Sequence, residues 1–188
     1  MQARAAVSTM LLLWMGTMTA AADDLHILLD FDGAADAGLF SPIDDAVMGG
    51  VSSSRLAIRD PGIAEFSGRV SLENNGGFAS VRTRSREWGT AGAREFVLRV
   101  RGDGKRYRFN LRTPDGPSAF RYEAPLGVPA GEWSEVSIPI GDFTGKAFGR
   151  RVPLVGPPDP ARIRTLGFMI SDKQAGPFRL EIDWIAWR

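Results

Sequence analysis

Arginine recurs at alternate positions in three stretches of this 188-residue chain: Arg82, Arg84 and Arg86; Arg99 and Arg101; and Arg106, Arg108 and Arg112. A guanidinium presents its N–H donors in a planar fork that matches the paired oxygens of a carboxylate, sulfate or phosphate. Alternation is the repeat of a β-strand, so each stretch sends its arginines to one face and its apolar neighbours to the other. Phe96, Leu98 and Val100 oppose Arg99 and Arg101, and Tyr107, Phe109 and Leu111 oppose Arg106, Arg108 and Arg112. If the three strands are neighbours through hairpins, all these arginines line one outer sheet face. Arg82, Arg99, Arg101 and Arg108 are then expected to hold an anionic ligand. The competing reading is a solvated face cross-paired with acids such as Glu95 and Glu123, each pair worth about 0–1 kcal/mol.

Two glycine-bearing segments also stand out, Asp44-Asp45-Ala46-Val47-Met48-Gly49-Gly50-Val51-Ser52 and Glu73-Asn74-Asn75-Gly76-Gly77-Phe78. Asn75-Gly76 between alternating runs predicts a type I′ hairpin, because asparagine and glycine tolerate positive φ. Gly49-Gly50 points to a bulge or a close backbone crossing. Asp44 and Asp45 have no partner legible nearby, so they, with Asn74 and Asn75, are expected to contact a ligand.

Other chemistry is harder to assemble. The chain has no cysteine and one histidine, His26, which leaves no thiolate zinc site, no disulfide and no imidazole placed to activate a serine. The first of those glycine segments lacks the Lys-Ser/Thr ending of a P-loop. Glu65, Glu73, Asp142, Asp172 and Asp183 could meet in space, but no spacing singles out an acid and a nucleophile for glycoside hydrolysis. No cofactor is expected, save that Asp30 and Asp32 with Glu181 and Asp183 could hold a structural Ca²⁺. Trp88, Trp133, Trp184 and Trp187 are candidates for sugar stacking, with core burial the default for Trp133.

The elements that must position these residues are strands throughout. Period-two alternation predicts strands near His26–Phe31, Arg55–Arg59, Ile63–Leu72, Phe78–Arg84, Glu95–Arg101, Arg106–Arg112, Ser118–Glu123, Trp133–Ile140, Ile163–Ser171 and Phe178–Trp187. Asp103-Gly104 and Pro114-Asp115-Gly116-Pro117 supply turns. The expectation is an all-β, two-sheet antiparallel jelly-roll sandwich forming a single domain over residues 23–188. Residues 1–22 carry a single basic residue, an apolar stretch around Leu11-Leu12-Leu13-Trp14-Met15 and Ala20-Ala21-Ala22, the pattern of a signal peptide. It predicts a periplasmic or secreted protein with no membrane span after cleavage. Net charge is +1, and since Arg4 lies in that segment the remainder is neutral, which argues against nucleic acid as a partner. All but three of the 23 basic residues (Lys105, Lys146 and Lys173) are arginine, which favours planar hydrogen-bonded pairing.

Asp44 to Ser52, Phe66-Ser67-Gly68, Glu73 to Arg82, Arg101-Gly102-Asp103-Gly104-Lys105-Arg106-Tyr107, and Leu166 to Asp172 followed by Gly176 to Ile185 together resemble the complex I intermediate-associated protein 30 family. The similarity runs in order along nearly the whole chain after residue 22. It implies a galactose-binding-domain-like β-sandwich and a non-enzymatic role, eukaryotic members being assembly factors for mitochondrial respiratory complex I. No catalytic residues come with it. The combined expectation is a non-catalytic binding or assembly module for a protein or glycan partner. The alternative is a carbohydrate-binding accessory module or a carbohydrate-active enzyme.

Overall fold

Side chains at alternate positions of Glu95–Gly102 and Tyr107–Arg112 are sealed from solvent: Phe96, Leu98 and Val100 in the first, Tyr107, Phe109 and Leu111 in the second. The computed structural model describes residues 24–60 and 62–188, so the predicted signal segment lies outside the described residues. Thirteen strands follow in order: β1 His26–Leu29, β2 Phe40–Pro42, β3 Ser53–Asp60, β4 Ile63–Val70, β5 Ala79–Thr83, β6 Glu95–Gly102, β7 Tyr107–Arg112, β8 Phe120–Leu126, β9 Ser134–Pro139, β10 Thr144–Ala147, β11 Arg150–Arg151, β12 Thr165–Ile170 and β13 Gly176–Trp187. They form two antiparallel sheets, a jelly-roll sandwich as expected. One sheet runs β3-β4-β13-β6-β9, with β1 on β13; the other runs β11-β10-β8-β7-β12-β5-β2.

The twelve residues of β13 hold the first sheet together. Gly176 to Ile182 pair with β4, the other edge pairs with β6, and His26 of β1 lies opposite Trp187. A bulge between Ile182 and Trp184 resets the pairing with β6. Aromatic rings join the sheets. Phe96 meets Phe109 edge-on at 5.4 Å between centroids, Phe109 meets Phe168 at 5.4 Å, and Phe66 meets Phe168 at 6.4 Å. Burying each such ring contributes about 1.5–3 kcal/mol.

Two connections differ from expectation. Asn75-Gly76 is not a hairpin turn, because β4 and β5 belong to different sheets; the positive φ values fall on Asn74 (53°) and Asn75 (59°), in a short 3-10 turn. Asp103-Gly104 likewise carries the chain from β6 in one sheet to β7 in the other. Pro114 to Pro117 does join paired neighbours, β7 and β8. Sheet-to-sheet crossings use the same positive-φ residues as hairpins, so local turn chemistry does not separate them.

Close packing of β3 on β4 depends on Gly68, where a β-carbon would strike the carbonyl oxygen of Ser53 and the Cα of Ser54. Gly68→Ala is therefore expected to lower unfolding free energy by about 2 kcal/mol, read as an earlier urea midpoint with unchanged slope.

Candidate functional site

Asp44 and Asp45 prove to be internal fasteners. Asp45 is fully buried and accepts from the backbone N–H of Ser52 (2.9 Å), the Ser52 hydroxyl (2.5 Å), and the N–H groups of Gly77 (2.7 Å) and Phe78 (3.4 Å). Burial works to raise its pKa. The bonds from the Ser52 side chain, Gly77, the Ser52 backbone and Phe78 outweigh that, so the carboxyl sits below the ordinary aspartate value. Asp44 accepts from Ser54 N–H (2.8 Å), the Ser54 hydroxyl (2.6 Å) and Ser80 N–H (2.9 Å), tying β3 to β5 across the sheets. The glycines now have their reason: a β-carbon at Gly50 would collide with the Asp45 carboxyl, and one at Gly76 would lie 2.5 Å from Asp45 Oδ2. Partners unseen in the sequence thus exist for both aspartates, and they lie within the protein.

The single arginine face is also corrected. Because β6 and β7 belong to different sheets, Arg99 and Arg101 stand on one outer face while Arg82, Arg108 and Arg112 stand on the opposite one. Arg99 pairs with Asp183 at 3.1 Å and Arg101 with Glu181, beside the half-buried ring of Trp133, whose centroid lies 4.9 Å from the Arg101 guanidinium carbon. Trp133 therefore lies on this outer surface and not in the core. The same pairs occupy two of the four carboxylates expected for Ca²⁺, and no group of three or more His, Cys, Asp or Glu suited to a metal ion occurs among the described residues. His26 is an exposed edge-strand residue stacked on Trp187 at 4.3 Å, and Trp88 is buried with its indole N–H donating to the Arg164 carbonyl.

On the outer face of the seven-stranded sheet lies a groove of 760 Å³. The register explains its floor. Arg108, Asn110 and Arg112 alternate outward on β7; Thr165, Gly167 and Met169 lie opposite them on β12; Arg82 flanks Gly167 on β5. Arg121 and Glu123 extend the floor on β8, opposite Lys146 and Thr144 of β10. Gly167 offers no side chain, and a β-carbon there would come 2.6 Å from the Val81 carbonyl, so the centre of the floor stays open. Met48 and Phe148, 62% and 84% exposed, add apolar groups to the lining.

Charge in this floor is unevenly matched. Glu123, 2% exposed, is held by Lys146 (2.6 Å), Arg121 (2.8 Å) and Arg108 (3.3 Å), and Arg108 also reaches Asp172 (2.9 Å). Arg82 and Arg112 are half-buried and have no ion pair among the described residues. Burial lowers the pKa of both, and for Arg112 the added repulsion of Arg82 and Arg121 brings it down to about 10. Two buried oxygens in the same lining, Asn110 Oδ1 and Thr165 Oγ1, lack a hydrogen-bond partner. Such orphaned atoms are rare in folded proteins, and here both belong to outward-pointing side chains that line a groove.

Of the expected ligand contacts, only Arg82 and Arg108 line this groove. Asp44 and Asp45 brace the loops behind it, Asn74 and Asn75 are exposed on the turn before Gly76, and Arg99 and Arg101 are on the other sheet. Asn110, Arg121, Glu123, Lys146 and Thr165 were not singled out as contacts. Arg121 and Glu123 do alternate within a predicted strand, the one local signal that pointed to them.

A family model described as complex I intermediate-associated protein 30 matches residues 29–182. Among curated relatives, the probable complex I intermediate-associated protein 30, mitochondrial, of Caenorhabditis elegans is 30% identical over 160 residues, covering 72% of this chain and 46% of that protein. The complex I intermediate-associated protein 30, mitochondrial, of Mus musculus is 40% identical over 93 residues, covering 47% and 28%. The matches thus span less than half the length of these relatives. Their names make them mitochondrial proteins, which overturns the expectation of a periplasmic or secreted protein drawn from the first 22 residues. Among solved structures, a family 11 carbohydrate-binding module from Clostridium thermocellum in complex with a β-1,3-1,4-mixed-linked tetrasaccharide superposes with a TM-score of 0.62 at 16% identity, covering 87% of this chain and 94% of that one. An agarase does so at 0.59 and 13%, covering 87% and 24%. At such identities the likeness is one of fold.

Proposed function

The chain belongs to the complex I intermediate-associated protein 30 family, and from that premise we propose that it is a non-catalytic binding module that holds a protein partner in the groove on the outer face of its seven-stranded sheet. The observation that carries this reading is the incomplete floor: Arg82 and Arg112 without counter-charges beside the orphaned oxygens of Asn110 and Thr165. Groups left unmatched inside a protein gain most when a partner completes them. The relatives are named for association with complex I intermediates, which makes an assembly partner the first candidate.

A glycan is the second reading, favoured by the fold shared with a module solved around a tetrasaccharide. A neutral glucan would leave the floor's excess of positive charge unmatched, so the protein reading is preferred.

Native gels loaded with purified complex I assembly intermediates separate the two. The protein, and its Arg99→Gln/Arg101→Gln variant altered on the opposite face, are expected to co-migrate with the intermediates, whereas Ala119→Trp, which fills the groove, abolishes co-migration. Co-migration of Ala119→Trp at the unaltered level would overturn the groove assignment. Binding of the mixed-linked tetrasaccharide in place of the intermediates would move the conclusion to the glycan.

A further inference from the structure

The other cations on the strands of the groove floor share a carboxylate: Arg108, Arg121 and Lys146 converge on Glu123, and Arg108 takes Asp172 as well, while Lys173 lines the groove from the loop after β12. Arg82 and Arg112 stand apart. They reach the surface from the two strands flanking β12, Arg112 opposite Thr165 and Arg82 opposite Gly167, so only a short hydroxyl side chain and a bare glycine separate them. The two guanidinium groups repel one another, and no acid among the described residues pairs with either. Both also line a second hollow of 370 Å³ towards Ser41, Pro114 and Arg164, which places them at a crossing point where the groove continues past its main chamber.

We propose that Arg82 and Arg112 form a subsite for a carboxylate, presented by an Asp or Glu side chain of the protein partner, with the Thr165 hydroxyl as a third donor. This rests on the reading of the groove as a protein-binding site and gives that partner an acidic character. Two guanidinium forks and a hydroxyl offer a surplus of donors, as a carboxylate with its several lone-pair sites requires. The unpaired Asn110 Oδ1, two residues along β7 from Arg112, is an acceptor and suits a backbone N–H of the same bound segment. An extended acidic peptide offers both kinds of group in one chain, and inorganic sulfate offers only one.

Holding two like charges together half-buried disfavours the free fold, so these arginines carry a signature that structural ones lack. Replacing both should leave the fold as stable or more so while removing the ligand. Calorimetric titration of the full chain with an acetylated hexaglutamate peptide is expected to show binding. Arg82→Gln/Arg112→Gln should weaken it roughly ten- to hundredfold, with Tm unchanged or raised, while Arg99→Gln/Arg101→Gln changes the affinity less than twofold. Unaltered affinity in the Arg82→Gln/Arg112→Gln variant, a marked fall in its Tm, or no binding of the peptide at all would overturn the subsite. Tighter binding of trigalacturonate than of hexaglutamate would reassign it to an acidic glycan. The two failures remain distinct. If this double variant still co-migrates with complex I intermediates while Ala119→Trp does not, the groove stands and the subsite falls. If peptide binding depends on the arginines while Ala119→Trp still co-migrates, the reverse holds.

Discussion

Asp45→Ala is expected to lower the unfolding free energy by about 4 kcal/mol. The carboxylate is fully buried and gathers three backbone N–H groups and one hydroxyl from segments up to 33 residues away. Alanine would leave the backbone N–H groups of Ser52, Gly77 and Phe78 without this acceptor, and each buried orphan costs about 1–3 kcal/mol. Urea unfolding at pH 7 measures the loss. Its pH dependence is a second check. Because the folded-state pKa lies below the unfolded value near 3.9, the contribution is complete above about pH 4 and fades as pH falls through the folded pKa. The gap between the protein and Asp45→Ala should therefore close on acidification below pH 4. A gap independent of pH would show that the lost packing, and not the charge, accounts for the effect.

Glu123→Gln is expected to cost about 3 kcal/mol. Its carboxylate, almost sealed from solvent, is the counter-charge shared by Lys146, Arg121 and Arg108, and an amide leaves all three cations facing one another on a half-buried floor. Breaking a buried charge pair by removing one partner is costly because the remaining charge stays desolvated. A cycle with Lys146→Met tests this cause. The double variant should recover more than 1 kcal/mol of what the two single changes lose together, since deleting Lys146 removes part of the uncompensated charge. Strict additivity would mean that Glu123 stabilises by shape alone.

Which face each strand buries was legible from alternation, and all ten predicted strands exist with modest shifts of their ends. The three missed, β2, β10 and β11, have four residues or fewer, too short for a period to declare itself. Sheet membership was the larger omission. Arg99 and Arg108 sit on strands with the same pattern, and nothing within either strand says that one faces Asp183 and the other Glu123 across the thickness of the protein. The Asp44–Asp45 pair shows the opposite difficulty. Its residues were conspicuous, yet Ser80 and Gly77 are more than 30 positions away, and hydrogen bonds over that distance leave no local repeat. Glu123 was visible only as a possible surface partner because burial depends on which strands come to flank it.

The central position of β13 bears on how the protein is made. Synthesis proceeds from the N-terminus, so β1, β4 and β6 emerge well before the strand that pairs with all three. Until β13 leaves the ribosome, those strands expose unpaired backbone edges that invite contact with other chains. Sheet closure is thus deferred to a late, long-range step, and until then association with other chains competes with folding.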